Sequence, residues 1–152
     1  MIRLFLVLCC LFLSQILFAY IQPTETPVVH YLKSVENPII ESNIQNIDCI
    51  FVINLDRRPE RWNRIENLCQ QHRLYVNRFS AVDGRQLTNE DIKSLRGNYD
   101  RPLTKGMIGC LLSHISLLKE AYDRGYNVIW VLEDDIEIVD DIRRIPPLLS
   151  AL

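Results

Sequence analysis

An acidic triplet, Glu133-Asp134-Asp135, directly follows an apolar stretch at residues 128–132. A short apolar stretch of this kind is typical of a strand that is buried in a parallel sheet. Adjacent carboxylates at the end of such a strand repel each other and lose water, and a divalent cation would relieve both costs. Because Mg²⁺ and Mn²⁺ prefer oxygen ligands and complete their shells with phosphate and water, we expect Asp134 and Asp135 to hold such an ion beside a diphosphate-linked donor. A solvated helix start, where Asp is common, is the alternative interpretation.

Basic side chains follow an earlier apolar stretch at residues 49–55. Arg57, Arg58 and Arg61 could meet the same phosphates, because guanidinium groups bind phosphate oxygens through paired hydrogen bonds. Surface arginines are also commonly just solvated, and that interpretation stays open. His114 lies on a predicted helix, where a histidine is more often structural than functional. The sequence contains no P-loop, no G-x-G-x-x-G motif and no Ser-His-Asp order, so the acidic triplet and the arginines are the main candidates for chemistry.

Strand and helix patterns alternate along the chain. The predicted strands cover residues 49–55, 75–79 and 126–132, and the predicted helices begin near Pro59, span residues 88–98 and run from Gly106 to Gly125. Asp56 is the predicted cap of the first helix, and Thr88 with Asp91 matches a capping box at the second. The alternation predicts an α/β domain with a mostly parallel sheet flanked by helices, and such sheets bind ligands beyond the carboxyl ends of their strands.

The third predicted helix carries the clearest apolar stripe. The stripe consists of Ile108, Leu111, Leu112, Ile115 and Leu118, and it is expected to face the core. The cysteines after residue 48 have no metal-type spacing. Cys49, Cys69 and Cys110 are therefore expected to be buried free thiols rather than parts of a disulfide framework.

The chain has 152 residues, enough for one modest domain, and a net charge of −2. A dedicated nucleic-acid binder would normally carry a basic face, so nucleic acid is not an expected partner. Residues 4–21 are largely apolar and follow the single charge of Arg3, which is typical of a signal peptide or a membrane anchor. We therefore expect residues 1–21 to direct export or membrane association, on the cytoplasmic face if they act as an anchor. Residues 22–47 are expected to form a linker and residues 48–152 the folded domain.

Five ordered blocks of residues lie between positions 49 and 139. They are residues 51–62 (FVINLDRRPERW), 81–84 (AVDG), 101–104 (RPLT), 106–110 (GMIGC) with Ser113-His114, and 131–135 (VLEDD). In this order and at this spacing, the blocks resemble glycosyltransferase family 25. That family comprises lipooligosaccharide sugar transferases and procollagen galactosyltransferases.

The resemblance implies a GT-A-like, Rossmann-like fold. It also implies transfer of galactose or another hexose from a nucleotide sugar, such as UDP-galactose, to a saccharide or hydroxyl acceptor, as in lipopolysaccharide or glycan biosynthesis. Asn54 and the Asp83-Gly84 turn would line the nucleotide pocket, and His114 would lie near it. The last two residues of the acidic triplet would be the metal-binding motif.

Two departures from the family pattern bear on this expectation. Met107 stands where the family usually has Glu. The family domain also continues beyond the end of this chain, so the domain is expected to be incomplete at its C-terminus. A membrane-tethered, catalytically inactive nucleotide-sugar-binding module is therefore the alternative function. A phosphotransferase of the response-regulator type would need an acidic pocket after the first strand, which the Arg57-Arg58-Pro59 sequence after Asp56 does not favour.

Overall fold

The computed structural model of the chain describes residues 27–35, 38–96 and 98–144. Its centre is a three-stranded parallel sheet with the spatial order β2-β1-β3. The strands are β1 (Cys49–Asn54), β2 (Asn77–Ser80) and β3 (Ile129–Glu133). The predicted α/β architecture with a parallel sheet is confirmed, and it agrees with a Rossmann-like, GT-A-type arrangement.

Within the described residues, three α-helices accompany the sheet. They are α1 (Pro59–Gln71), α2 (Asn89–Arg96) and α3 (Lys105–Arg124). Short 3₁₀ turns occur at Pro27–Tyr31, Gly84–Gln86 and Ile142–Arg144. Helix α1 connects the neighbouring strands β1 and β2, whereas α2 and α3 lie in the connection from β2 to β3, which crosses over β1.

Strand β1 lies in the middle of the sheet, and all six of its residues are buried. Successive side chains of a strand point to opposite faces. Accordingly, Ile50 and Val52 pack in one core cluster with Ile65 and Cys69 of α1. The alternate residues of β1 belong to a second cluster, which includes Leu117 of α3. The apolar run of β1 is therefore explained by cover on both faces.

The register of the sheet brings the carboxyl ends of the strands together. Ile53 of β1 pairs with Phe79 of β2 on one side and with Glu133 of β3 on the other. The next residue, Asn54, pairs with Ser80. The polar residues that follow β1 and β3 consequently emerge at one edge of the sheet, where ligands of such folds bind.

Local sequence signals set the ends of two helices as expected. The Thr88 hydroxyl accepts from the amide of Asp91, and the Asp91 carboxylate accepts from the amide of Thr88, at 3.1 and 2.7 Å. This reciprocal pair is the predicted capping box. Helix α3 begins after Thr104, whose side chain accepts from the amide of Met107, and it ends at Gly125 in the left-handed conformation.

The predicted cap of α1 is wrong. The N-cap residue of this helix is Arg58, and its side chain makes no capping hydrogen bond. Asp56 lies too early in the turn and is engaged elsewhere. Its carboxylate accepts from the Ser80 hydroxyl at 2.7 Å and from Arg78 at 2.8 Å. The Asp56 carboxylate therefore connects the end of β1 to β2 and does not cap the N-terminus of α1.

The predicted apolar stripe of α3 is only partly buried. Ile108 and Leu112 lie in the core, whereas Leu111 and Leu118 are exposed. Small residues take much of the buried face. Ser113 and Ser116 are buried because their hydroxyls donate to carbonyl oxygens one turn earlier in the helix, at 2.8 and 2.7 Å, which removes the cost of burying them.

Cysteine placement agrees with the prediction at two of three positions. Cys49 and Cys69 are buried free thiols. Cys110 is free but exposed, so its predicted burial is wrong. The reason is its position at the open end of the sheet, where Sγ lies 3.9 Å from Glu133 Oε1 rather than among core side chains.

Part of the segment predicted as a linker packs on the domain. Ile44 and Ile47 belong to the core cluster under α1. The Lys33 ammonium donates to the Ser80 hydroxyl and to a neighbouring carbonyl. Asn77 of β2 bonds to both backbone polar groups of Ile40. These described residues therefore contribute to the fold.

The apolar leader at residues 1–21 lies outside the described ranges, so its role as a signal peptide or an anchor stays a prediction. Within the described ranges, no helix combines the length and the apolar character that crossing a membrane requires.

Candidate functional site

A pocket of about 270 Å³ opens at the carboxyl edge of the sheet. Its walls come from the ends of β1 and β3, the start of α1, the Gly84–Gln86 turn and the first half of α3. The predicted site residues that line it are Arg57, Arg58, Arg61, Asp83, Gly84 and Asp134. Ligand pockets for whole small molecules usually measure about 300–1,000 Å³. The volume of this pocket therefore lies just below the range of pockets that enclose a whole small molecule.

Asp134 is the buried carboxylate of the pocket, with 7% of its surface exposed. Its Oδ2 accepts from Asn54 Nδ2 at 2.7 Å, and its Oδ1 accepts from Arg61 Nη1 at 2.8 Å. A buried carboxylate is tolerated when it is paired and hydrogen-bonded in this way. The same contact raises the pKa of Arg61, chiefly through its hydrogen bond with Asp134.

Asn54 does not line the pocket, although it was expected to. It stands behind Asp134 and is almost fully buried. Its amide nitrogen also donates to the Arg58 carbonyl at 3.1 Å, and its oxygen accepts twice from Arg78 at 3.0 and 2.8 Å. These bonds and the bond to Asp134 use both hydrogens and both lone pairs of the amide. Asn54 therefore positions Asp134 instead of presenting a free group.

The side chain of Asp135 lies in a different environment from that of Asp134. The Asp135 side chain is 63% exposed and lies 3.5 Å from Arg61 Nη1, and it is not among the residues that line the pocket. One guanidinium nitrogen therefore stands within reach of both carboxylates. The two carboxylates provide the hard oxygen donors that Mg²⁺ or Mn²⁺ requires, and Arg61 shows that a positive charge fits between them. A metal ion at this point would have to replace the Arg61 contact.

The turn after β3 is also bound to α1 by a second arginine. Arg64 donates to the carbonyl oxygens of Asp134 and Ile136, at 3.4 and 3.1 Å. Arg61 and Arg64 are three positions apart on one face of α1. The acidic turn is thus held against that helix through both its backbone and its side chains.

Four arginines and three acids line the pocket, so its lining is more basic than the chain as a whole. Arg85 joins the three predicted arginines, and the acids are Asp83, Glu133 and Asp134. Arg57 Nε donates to Asp83 Oδ2 at 2.9 Å. The amide of Arg85 and then the Arg57 guanidinium lower the pKa of Asp83. An anionic group in this pocket would therefore find guanidinium donors that are already oriented by neighbouring carboxylates.

His114 does not line the pocket, but it contacts a residue that does. Its Nε2 lies 3.0 Å from Glu133 Oε1, and Cys110 Sγ lies 3.9 Å from the same oxygen. One ligand atom from each of the three side chains lies within 4.8 Å of the others. Burial, together with the Glu133 carboxylate, raises the pKa of the Cys110 thiol.

This trio was not anticipated as a unit from the sequence. The available signal was the four-residue spacing between Cys110 and His114, which places both side chains on one face of a helix. Glu133 comes from a distant strand, and the pairing of α3 with the end of β3 could not be deduced from spacing. Arg78, which supports Asn54, gave no local signal either.

Two glycines allow α3 to approach the pocket wall closely. A Cβ at Gly84 would lie 1.8 Å from the carbonyl oxygen of Lys105, and a Cβ at Gly109 would lie 2.6 Å from the carbonyl oxygen of Val82. Both contacts are with backbone, which cannot swing aside as a side chain can. The Gly84 turn and the start of α3 can therefore meet only without side chains at these positions.

The profile of glycosyltransferase family 25 (LPS biosynthesis protein) matches residues 47–147. This match includes the described strands and α-helices and the acidic triplet. The chain belongs to glycosyltransferase family 25. The family resemblance of the sequence blocks is thereby confirmed.

Relatives in this family include both named transferases and a protein named as inactive. A "Glycosyltransferase 25 family member" of Aedes aegypti is 37% identical over 128 residues, covering 71% of this chain and 21% of the relative. "Procollagen galactosyltransferase 2" of Mus musculus is 39% identical over 106 residues, covering 64% and 17%. "Inactive glycosyltransferase 25 family member 3" of Mus musculus is 35% identical over 119 residues, covering 72% and 20%. The chain spans about a fifth of the length of these relatives.

Proposed function

We propose that this family 25 chain binds the diphosphate of a nucleotide-sugar donor in the pocket at the carboxyl edge of its sheet. The bound donor would supply galactose or another hexose to a saccharide or hydroxyl acceptor, as in lipopolysaccharide or glycan biosynthesis. The observation that carries this proposal is the convergence of Arg57, Arg58, Arg61 and Asp134 on one pocket. The family supports transfer of a glycosyl group, and one relative is named a procollagen galactosyltransferase.

The arginines would act on the leaving group. Negative charge grows on the diphosphate as the bond to the sugar breaks, and oriented guanidinium donors stabilise that charge best when they need not move. Arg57 is oriented by Asp83 and Arg58 by Glu60. These carboxylates keep each guanidinium in place before the donor arrives, which lowers the entropy that binding costs.

Asp134 and Asp135 would hold Mn²⁺ or Mg²⁺ in the place where Arg61 Nη1 lies between them. When bound, the cation would neutralise phosphate charge as a Lewis acid. Arg61, released from the two carboxylates, would be free to donate to a phosphate oxygen. Asn54 would keep Asp134 oriented during this exchange through its 2.7 Å hydrogen bond.

Donor binding can be tested by titrating UDP-galactose and UDP-glucose into the protein by calorimetry, with and without Mn²⁺. A hydrogen bond to a charged group contributes about 1.5–3 kcal/mol, so Arg57→Ala and Arg58→Ala should each weaken binding by about 10-fold or more. Arg124→Ala is the matched control. It lies fourteen residues beyond Cys110 on α3, about 21 Å along the helix axis, and should bind like the wild type.

Donor binding that is absent in the wild type, with and without Mn²⁺, would contradict the proposal. Equal affinity in the wild type and both pocket variants would contradict it as well. Asp135→Ala isolates the metal contribution, because this exposed carboxylate can be removed without disturbing the wall of the pocket. We expect this variant to lose the Mn²⁺ dependence of binding and to keep the metal-independent part.

A second candidate function is donor binding without turnover. It is favoured by the relative that is named inactive, which is 35% identical and aligns with 72% of this chain. This hypothesis predicts donor binding in the pocket and no release of UDP when saccharide or hydroxyl acceptors are added. A measurable rate of UDP release that depends on acceptor would exclude it.

We also propose that residues 1–21 associate the protein with a membrane or direct its export. The support is the apolar sequence that follows Arg3. Cell fractionation of the full chain and of a chain that lacks residues 1–21 tests this proposal. An identical distribution of the two proteins would contradict it.

A further inference from the structure

We propose that Cys110, His114 and Glu133 bind a transition-metal ion, and that Zn²⁺ is the ion that suits their donor atoms. This site differs from the all-oxygen site proposed for Asp134 and Asp135 in its residues and in the class of metal. It stands on the geometry of α3 and β3 and does not depend on the identity of the donor.

Two of the three ligand separations are close to those of a tetrahedral ion. Zn²⁺ binds sulfur at about 2.3 Å and nitrogen or oxygen at about 2.0 Å, which places nitrogen and oxygen ligands about 3.3 Å apart and sulfur and oxygen ligands about 3.5 Å apart. His114 Nε2 lies 3.0 Å from Glu133 Oε1, and Cys110 Sγ lies 3.9 Å from that oxygen. The third pair, Cys110 and His114, has its ligand atoms within 4.8 Å of each other. Closing the site on an ion therefore requires movements of up to about 1 Å, within the reach of side-chain rotation.

Regular elements hold the three ligands. Cys110 and His114 are four residues apart on α3, so their side chains lie one above the other on a single helix face. Glu133 is the last residue of β3. Ligands on helices and strands keep their relative positions better than ligands on loops. The trio is also reachable, because the side chains of His114 and Glu133 are about 40% and 45% exposed and Cys110 is exposed.

The ligand atoms of the three side chains determine the class of metal that they bind best. A thiolate and an imidazole favour Zn²⁺ and similar ions, whereas Mg²⁺ and Mn²⁺ prefer carboxylate, phosphate and water. Binding would require the Cys110 thiol to release its proton to solvent as the metal–sulfur bond forms. Three protein ligands would leave a fourth position for water or for an oxygen of a bound molecule. Cys110 and Glu133 both line the pocket, so the ion would stand in the pocket wall.

The competing interpretation is a hydrogen bond between His114 and Glu133 beside an unrelated thiol. A titration of the metal-free protein with Co²⁺ separates the two interpretations, because a cobalt–thiolate bond gives a charge-transfer absorption band and tetrahedral Co²⁺ gives intense visible bands. We expect the wild type to show both signals at one equivalent of Co²⁺. Zn²⁺ should abolish them by competition, whereas Mg²⁺ should not.

Single substitutions assign the ligands. Cys110→Ser should remove the charge-transfer band. Loss of an outer partner of a metal site typically costs 10–100-fold in affinity, so loss of a ligand in His114→Gln or Glu133→Gln should weaken Co²⁺ binding by at least about 100-fold. His72→Gln and Glu137→Gln are the matched controls, because they remove the same chemical groups at half-buried and exposed positions outside the trio. Both should titrate like the wild type.

The absence of a charge-transfer band in the wild type would overturn the proposal. A band that persists in Cys110→Ser would also overturn it, since the chain has five cysteines and the metal would then lie elsewhere. Circular dichroism of each variant establishes that it is folded. No nucleotide sugar is present in this titration, so a failure of the donor proposal would leave the cobalt result unchanged.

Discussion

Asp134 and Asp135 are adjacent in the chain but differ in what surrounds them. Asp134 is buried and bonded by Asn54 and Arg61, whereas the side chain of Asp135 is largely exposed. The hydrogen bonds of Asp134 join the end of β3 to β1 and α1. The structural contribution of the acidic triplet is therefore expected to reside in Asp134 rather than in its neighbour.

Substitution of Asp134 by Ala should destabilise the metal-free protein. The change removes the acceptor of one buried Asn54 amide hydrogen and the 2.8 Å bond of Arg61. An unsatisfied buried polar group costs about 1–3 kcal/mol. Asp135→Ala is the control, because a change at an exposed position usually stays within about 0.5 kcal/mol. Urea unfolding of the two variants measures the difference. Equal free energies of unfolding would show that the bonds to Asp134 contribute nothing to stability.

Some residues of the site could be recognised from the sequence, whereas the roles of others could not be predicted. The acidic triplet was recognisable because a strand-like apolar run ends directly before it. The roles of Asn54 and His114 could not be deduced, because each is decided by a partner that is distant in the chain. Asn54 is saturated by Asp134, Arg58 and Arg78, and no spacing rule predicts such a set.

Helix α3 approaches the pocket so closely that one of its positions has no room for a side chain. A Cβ on Gly109 would lie 2.6 Å from the carbonyl oxygen of Val82 and 2.7 Å from the amide nitrogen of Gly84. By contrast, a Cβ on Gly106 would meet only the Thr104 hydroxyl at 3.9 Å. The two glycines lie on the same helix, three residues apart, and form a matched pair.

Gly109→Ala should therefore lower the free energy of unfolding by about 1–3 kcal/mol, as overpacked positions do. Gly106→Ala should leave it unchanged or raise it by up to about 1 kcal/mol, because Ala favours helix more than Gly. Chemical denaturation of both variants gives the comparison. The close contact of α3 with the Gly84 turn would be refuted if Gly109→Ala were as stable as Gly106→Ala.

The elements themselves were largely predictable because their signals are local. The buried run of β1, the Thr88–Asp91 capping box and the left-handed Gly125 can each be recognised in a few consecutive residues. The buried face of α3 was not predictable in full. Hydrophobicity placed Leu111 in the core, whereas packing on the sheet selects small residues on that face and leaves the leucine exposed.

Charge is distributed unevenly over the whole molecule. The chain has a net charge of −2, yet four arginines converge on the carboxyl edge of the sheet. Asp83, Glu133 and Asp134 line the same pocket, and two of them pair with its arginines. The composition of the chain does not reveal this local excess of one positive charge.

Helix α3 carries exposed apolar side chains on its outer face. Leu118 and Tyr122, one helical turn apart, are 61% and 85% exposed, whereas the neighbouring Leu117 is fully buried. Exposed apolar patches favour association between molecules.

The double variant Leu118→Gln, Tyr122→Gln should therefore bind less of the dye ANS and self-associate less in sedimentation velocity. Its free energy of unfolding should change by less than about 0.5 kcal/mol, while Leu117→Ala should lose about 2–5 kcal/mol. A stability loss in the double variant as large as that of Leu117→Ala would mean that the outer face of α3 is packed rather than exposed.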